Sequence, residues 1–146
     1  GGVSRANRLL GRCFSLTGTV ISGHGIGTKQ TVPTLNLRPE NICLPARGVY
    51  ITETEDSGDG RRWQSITNIG YRPTFGGDDL SIETYLLSPF DGRTPEHIRL
   101  HFCRFVRNER KFENAEELKQ QIFRDAGGAQ RYWRRVEKLR TNRIAV

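Results

Sequence analysis

Between Gly23 and Asn36 the chain reads Gly-His-Gly-Ile-Gly-Thr-Lys-Gln-Thr-Val-Pro-Thr-Leu-Asn. Gly23, Gly25 and Gly27, at alternate positions, free the backbone to turn N–H groups toward an anion, and Lys29 adds a cation. Pro33 then stiffens the chain into Thr34-Leu35-Asn36. In an extended segment, residues two apart share a face, so the Thr34 hydroxyl and the Asn36 amide oxygen can converge on one cation. A neutral pair would hold Mg²⁺ weakly, so most of the coordination would come from phosphate oxygens and water. The pattern thus points to a nucleotide phosphate arriving with its metal. Taken singly, the parts have ordinary readings as a flexible hairpin turn and as turn residues after a proline.

Glu83 is the third chemical element. It lies in the β-prone run Ile82-Glu83-Thr84-Tyr85-Leu86-Leu87, where Ile82 and Glu83 must face opposite sides of a sheet. A carboxylate projecting toward the mouth of a barrel could take the proton from a substrate hydroxyl. A solvent-facing glutamate on an edge strand is the plainer reading. Arg72 and Thr74, in Asn68-Ile-Gly-Tyr-Arg-Pro-Thr-Phe75, could reach a phosphate or substrate, or Gly70 and Pro73 could simply mark a strand end. The glycine stretch is not a Walker loop, because no Gly-Lys-Ser/Thr follows four spacers. It is not a dinucleotide fingerprint either, because an extended segment follows it rather than a helix.

These groups need a frame, and the period of the sequence supplies one. Phe14–Ile21 alternates apolar and polar residues; Gly48–Thr54 and Trp63–Ile69 flank an Asp56–Gly60 turn as a hairpin. Ile82–Leu87 is a further strand. In Ile98–Phe105, Ile98, Leu100 and Phe102 share one face, and Arg99, His101 and Cys103 share the other. Ser4–Leu10 is predicted as a short helix capped by Ser4 and ended by Gly11. After Phe112 the period becomes helical: Asn114-Ala-Glu-Glu117 has the form of a capping box, Leu118 and Ile122 share a face, and Tyr132, Val136 and Leu139 repeat at helical spacing. Gly127-Gly128 is expected to break this region into two helices. Short strands followed by terminal helices predict a small antiparallel barrel with helices packed on it.

The bulk properties are consistent with one soluble domain. The chain has 146 residues, 35 % of them hydrophobic and 27 % charged, and a net charge of +7. No apolar run approaches the roughly 20 residues of a membrane span, and the first ten residues lack a signal-peptide core. The cytoplasm is the expected compartment. Cys13, Cys43 and Cys103 form no Cys-x-x-Cys pair, so reduced, mostly packed thiols are expected. Methionine is absent, even at position 1, which suggests a piece of a longer protein. The basic excess attracts polyanions. Much of it lies in Arg131, Arg134, Arg135, Lys138, Arg140 and Arg143, which read as a solvated helix face.

The motifs, in order, resemble those of the riboflavin kinase family, and in particular the C-terminal kinase module of bacterial bifunctional riboflavin kinase/FMN adenylyltransferases (FAD synthetases). Asn7-Arg-Leu-Leu-Gly-Arg12 is similar to the lead-in from the adenylyltransferase domain. Phe14–Val20 resembles the first barrel strand, and Pro33-Thr-Leu-Asn36 stands where the family has Pro-Thr-Ala-Asn. Gly48-Val-Tyr50, Thr67-Asn-Ile-Gly70 with Arg72-Pro-Thr74, Ile82-Glu-Thr84 and Val106-Arg-Asn-Glu-Arg-Lys-Phe112 follow. The resemblance implies a six-stranded antiparallel Greek-key barrel over about residues 13–112, preceded by the end of a linker (1–12) and followed by a helical tail (113–146).

It also implies transfer of the ATP γ-phosphate to the riboflavin 5′-hydroxyl, giving FMN and ADP, with no nucleic-acid or membrane partner. An FMN adenylyltransferase domain would be covalently linked in the full-length protein. Carried over by residue, Thr34 and Asn36 match the Mg²⁺/ATP pair and Glu83 the catalytic base. Gly23, Gly25, Gly27 and Lys29 match the loop over the phosphates, and Arg107, Glu109 and Phe112 the flavin-contacting segment. Thr31 stands where the family has glycine, Leu35, a bulkier side chain beside the metal pair, where it has alanine, and Arg93–Glu96 where it has Leu-Tyr-Gly. Two further readings are a non-catalytic flavin- or nucleotide-binding barrel and a basic nucleic-acid-binding barrel.

Overall fold

The computed structural model describes residues 2–21, 34–74, 77–88 and 92–144, with only the backbone described at 72–74, 77–78 and 143–144. Helix α1 (Val3–Leu10) precedes six strands: β1 (Phe14–Ile21), β2 (Thr34–Pro39), β3 (Gly48–Asp56), β4 (Arg62–Thr74), β5 (Gly77–Leu86) and β6 (His97–Arg107). Helix α2 (Ala115–Ile144) follows. The strands close into an antiparallel barrel in the order β1-β2-β5-β4-β3-β6, and β6 pairs back onto β1. Strands β3, β4 and β5 form a meander, β2 returns beside β5 and β6 beside β3, which makes two overlapping Greek keys. The chain divides into two compact units, residues 1–109 and 110–146.

The alternation read from the sequence sets the interior. Leu16, Leu35, Leu37, Tyr50, Ile69, Ile82, Leu86, Ile98, Leu100 and Phe102 are buried in one cluster. Tyr50 packs edge-on against Phe102 and Phe105, with ring centroids 5.2 and 5.3 Å away. Gly18 faces this interior where β1 crosses β2, and a Cβ there would overlap the Arg38 carbonyl. One sector of the interior is polar. Thr52, Thr54, Ser65, Thr67 and Thr84 are fully buried. Their hydroxyls link in series: Thr54 to Ser65 and Ser65 to Thr52, each at 2.8 Å, then Thr52 to Thr67 at 2.8 Å, then Thr67 to Thr84. A hydroxyl both donates and accepts, so a chain of them satisfies itself without water.

Helix α1 is fixed to the barrel by Asn7, whose amide donates to the Phe102 carbonyl (2.8 Å) and accepts from the Phe14 N–H (2.8 Å). Val3 joins the buried cluster. Gly11 ends the helix in the left-handed region, as expected, but Ser4 does not cap it: the N-cap is Gly2, with no side-chain cap. Ser4 already lies inside the first turn, where its hydroxyl cannot reach the N–H groups a cap must take.

The capping-box expectation holds for α2. Asn114 Oδ1 accepts from Glu117 N–H (2.9 Å), and the Glu117 carboxylate reaches back to Glu113 N–H (3.4 Å). The expected break at Gly127-Gly128 does not occur. The helix runs unbroken through both, and neither glycine has positive φ. Each costs about 1 kcal/mol against alanine, too little to end a helix of good formers on either side. Arg131, Arg134, Arg135, Lys138 and Arg140 are exposed, consistent with a solvated face. Cys13 and Cys103 are half-buried thiols outside any disulfide, their sulfurs 3.8 Å apart; Cys43 is exposed, not packed.

Outside the barrel, Glu55 accepts from His101 (2.9 Å) and pairs with Arg62 (2.7 Å). The His101 hydrogen bond, opposed by desolvation and aided by the Arg62, His101 and Arg99 charges, holds the Glu55 carboxyl below its ordinary value of 4.5. A depressed carboxylate pKa stabilises the fold above the unfolded value and ceases to do so as pH falls through the folded one. In urea unfolding, wild type should therefore exceed Glu55→Gln in stability at pH 7, and the difference should shrink as pH falls below 4.5; a gap that does not change with pH would refute the assignment. Thr52→Val, which removes the middle of the hydroxyl chain at constant shape, should cost about 1–3 kcal/mol in the same assay, against under about 0.5 for exposed Thr141→Val.

Candidate active site

Strand parity decides where the chemical residues sit. On β5, Ile82, Thr84 and Leu86 are buried in the barrel, so Ser81, Glu83 and Tyr85 take the outer face. On β2, Leu35 and Leu37 point inward and Thr34 and Asn36 outward. Glu83 is therefore on the outer wall and not at the barrel mouth, because it lies mid-strand with paired neighbours on both sides. Leu35 likewise fills the core beneath the Thr34/Asn36 pair, where it does not crowd them.

The register then builds a row. Asn36 lies opposite Glu83, Glu83 opposite Asn68, Asn68 opposite Val49, and Val49 opposite Arg107. Opposed residues of neighbouring strands share a face and are spaced by about 5 Å, so two amides flank one carboxylate within roughly 10 Å. Thr34 stands one position further along, opposite Tyr85. Glu83 is half-buried and held from its own strand: Ser81 Oγ donates to Oε1 at 2.9 Å, and the Tyr85 hydroxyl donates to Oε2 at 3.3 Å. These two bonds orient the carboxylate. Among the described residues no hydrogen bond holds the side-chain amide of Asn36 or of Asn68. Two half-buried amides beside a fixed carboxylate are suited to an external polar ligand.

The flavin-segment residues separate. Arg107 ends β6 in the same row, its Nη1 donating to the Asn108 carbonyl at 3.1 Å. Glu109 lies over Gly70, which is opposite Ser81 and so on the same face as Glu83. A Cβ at Gly70 would overlap the Glu109 carboxylate, so glycine is what lets Glu109 lie close to the strand. Phe112 belongs to the second compact unit, where the Arg110 guanidinium stacks 4.7 Å from its ring centre. Gly23, Gly25, Gly27, Lys29 and Thr31 lie outside the described residues, as do the side chains of Arg72 and Thr74.

Sequence reasoning missed Ser81, Tyr85 and the side chain of Asn68. The first two were accessible from parity, being two residues either side of Glu83. Asn68 needed the register. Among the described residues no group of three or more His, Cys, Asp or Glu side chains could hold a metal ion. A cation here would depend on neutral oxygens and on the ligand.

The sequence model of the flavokinase family, described as riboflavin kinase, matches residues 10–133. The chain is 34 % identical over 120 residues to the bifunctional riboflavin kinase/FMN adenylyltransferase of Escherichia coli K12, covering 82 % of this chain and 38 % of that protein. It is 34 % identical over 142 residues to the Bacillus subtilis protein of the same description, covering 94 % of this chain and 44 % of that protein. The chain thus spans about two-fifths of the length of these relatives. Its fold is like that of riboflavin kinase from Trypanosoma brucei (TM-score 0.53, 16 % identity, 84 % of this chain and 81 % of that one). It is also like a Streptococcus pneumoniae structure described as a macrolide-efflux protein (TM-score 0.78, 24 % identity, 89 % and 42 %). At these identities both likenesses speak to the fold alone.

Gly70→Ala should push Glu109 off the strand with little loss of stability, about 1 kcal/mol or less, because the displaced atoms end a flexible side chain. Backbone amide shifts at Glu109 and Ser81, with thermal unfolding in parallel, measure both; unchanged shifts would show that Glu109 does not rest on Gly70.

Proposed function

The chain belongs to the riboflavin kinase family, and from that premise we propose that it transfers the γ-phosphoryl group of ATP to the ribityl 5′-hydroxyl of riboflavin, giving FMN and ADP. The observation that carries the reading is the row in which Asn36 and Asn68 flank Glu83, with Thr34 on the same face. Phosphoryl transfer demands little covalent chemistry of the protein. It demands alignment of the acceptor with the phosphate, neutralisation of charge, and a base within reach of the hydroxyl.

In this reading Glu83 accepts the proton of the riboflavin hydroxyl as the phosphoryl group is transferred. Ser81 and Tyr85 hold its two oxygens in place, so the base needs no reorientation. Thr34 and Asn36 would hold Mg²⁺ together with the nucleotide. The fit is chemical: two neutral oxygens on one face, one of them on an amide with no other partner among the described residues, suit a cation that keeps its phosphate and water ligands. The metal supplies neutralisation of phosphate charge. Gly23, Gly25, Gly27 and Lys29 would close over the phosphates, and Arg107, Glu109 and Phe112 would face the flavin.

The domain assignment follows the same premise: a linker end at 1–12, the kinase barrel over about 13–112 and a helical tail at 113–146. The bifunctional relatives support a linked FMN adenylyltransferase domain in the full-length protein, and this chain alone would make no FAD. No described helix is long and apolar enough to cross a membrane, and the cytoplasm is the proposed compartment.

Incubation with riboflavin and ATP should give FMN with Mg²⁺ and none with excess chelator; absence of FMN under both conditions would favour a binding barrel without catalysis. Glu83→Ala should lower FMN formation by about 10²–10⁴-fold with an unchanged unfolding midpoint. Near-full activity would remove Glu83 from the role of base. Asn36→Ala should act mainly through a raised KM for MgATP.

A further inference from the structure

Strand β6 lies opposite β5 in the ring, and its outer face, with that of β1, carries a second constellation. A cleft of about 460 Å³ opens there, lined by Arg12, Cys13, Ser15, Thr17, Asn41, Arg99 and His101. Ser15 is paired with His101 and Thr17 with Arg99, so four of these side chains form a two-by-two patch. Asn41 is anchored by its oxygen, which accepts from the Thr17 N–H at 2.7 Å. Its amide nitrogen has no partner among the described residues.

The charge of this cleft has one sign. No carboxylate lines it. Among the described residues no acidic group lies within ion-pair distance of Arg12 or Arg99; Arg12 Nη1 contacts only the Cys13 carbonyl, at 3.2 Å. Glu55, opposite Arg99 across the β3–β6 ladder and subject to its charge, is engaged by His101 and Arg62. Two guanidinium groups with no carboxylate at ion-pair distance among the described residues, beside hydroxyl and amide donors, match the oxygens of a phosphate. The volume falls in the range of small-molecule sites, roughly 300–1,000 Å³, and exceeds what a bare ion fills. No Phe, Tyr or Trp side chain lines the cleft to stack a base or flavin.

We propose that this cleft is a second binding site, separate from the Glu83 face, for a small phosphate ester with a hydroxylated, non-aromatic body. The phosphate sits between Arg12 and Arg99, and the ester's hydroxyls meet Ser15, Thr17 and Asn41. The proposal does not depend on the kinase reading.

The test is a residue-resolved amide titration of the 146-residue chain with glycerol 3-phosphate, run beside inorganic phosphate and glycerol. Saturable shifts should appear at Ser15, Thr17, Arg99 and His101, with tighter binding of the ester than of inorganic phosphate. R99Q should weaken binding by about tenfold and R12Q/R99Q abolish it, with FMN formation unchanged in both. Amide dispersion verifies that each variant is folded, and R99Q decides alone if the double variant is not. Absence of saturation, or shifts that persist in R99Q at full affinity, would overturn the site. Equal affinity for inorganic phosphate would reduce it to an ion patch and overturn the ester assignment.

Discussion

The outer face of this barrel depends on the hydroxyl chain inside it. Thr54, Ser65, Thr52, Thr67 and Thr84 are buried where apolar side chains would ordinarily stand, and each is satisfied only by the next. A buried hydroxyl without a partner costs about 1–3 kcal/mol, so the set is stable in one register and unstable in its neighbours. A slip of β5 by one residue would turn Thr84 outward and bring Glu83 into the core, unpaired. A slip by two would keep the faces but separate Thr84 from Thr67. The interior chain thereby fixes β5 against β4, and so fixes Glu83 opposite Asn68. Leu35, buried between Thr34 and Asn36, does the same for β2 by apolar contact.

Much of this was legible from residue alternation. The faces of β1, β3, β5 and β6 follow from period-two patterning, because a half-buried strand must place its apolar residues on one side. The pattern could also place Leu35 opposite in sense to Thr34 and Asn36, although its bulk was expected beside them. Position around the barrel was not legible. Parity says that Glu83 faces away from Ile82, but not that its neighbours are Asn36 and Asn68; that depends on the register of the β4–β5 hairpin and on the Greek-key return of β2 to β5, pairings about 15 and 47 residues apart. The helix through Gly127-Gly128 failed for a related reason. Propensity counts each glycine as a local penalty, whereas the helix is decided by its whole length. Ser4 had the right residue type two positions past the cap.

Closure of the barrel also explains how one small unit presents two chemically distinct faces. A closed sheet has no free edge, so all functional side chains must come from outward positions or loops. On the β2–β5–β4 wall those positions are amides and a carboxylate. On β1 and β6 they are arginine, two histidines, a thiol and hydroxyls. Because the six interior surfaces meet in one core, neither face can shift without the other elements, and each is held at a fixed geometry by the same packing.

That rigidity suits phosphoryl transfer, in which the protein mainly positions and neutralises. A base for this reaction need not be strong, but it must not wander. Glu83, the proposed base, accepts hydrogen bonds on its two oxygens from Ser81 and Tyr85 of its own strand. The reach of Glu109 to the same face needs only the missing Cβ of Gly70. The groups that must be rigid therefore come from paired strands. β1 meets β2 beside this row, where Ile21 lies opposite Asn36.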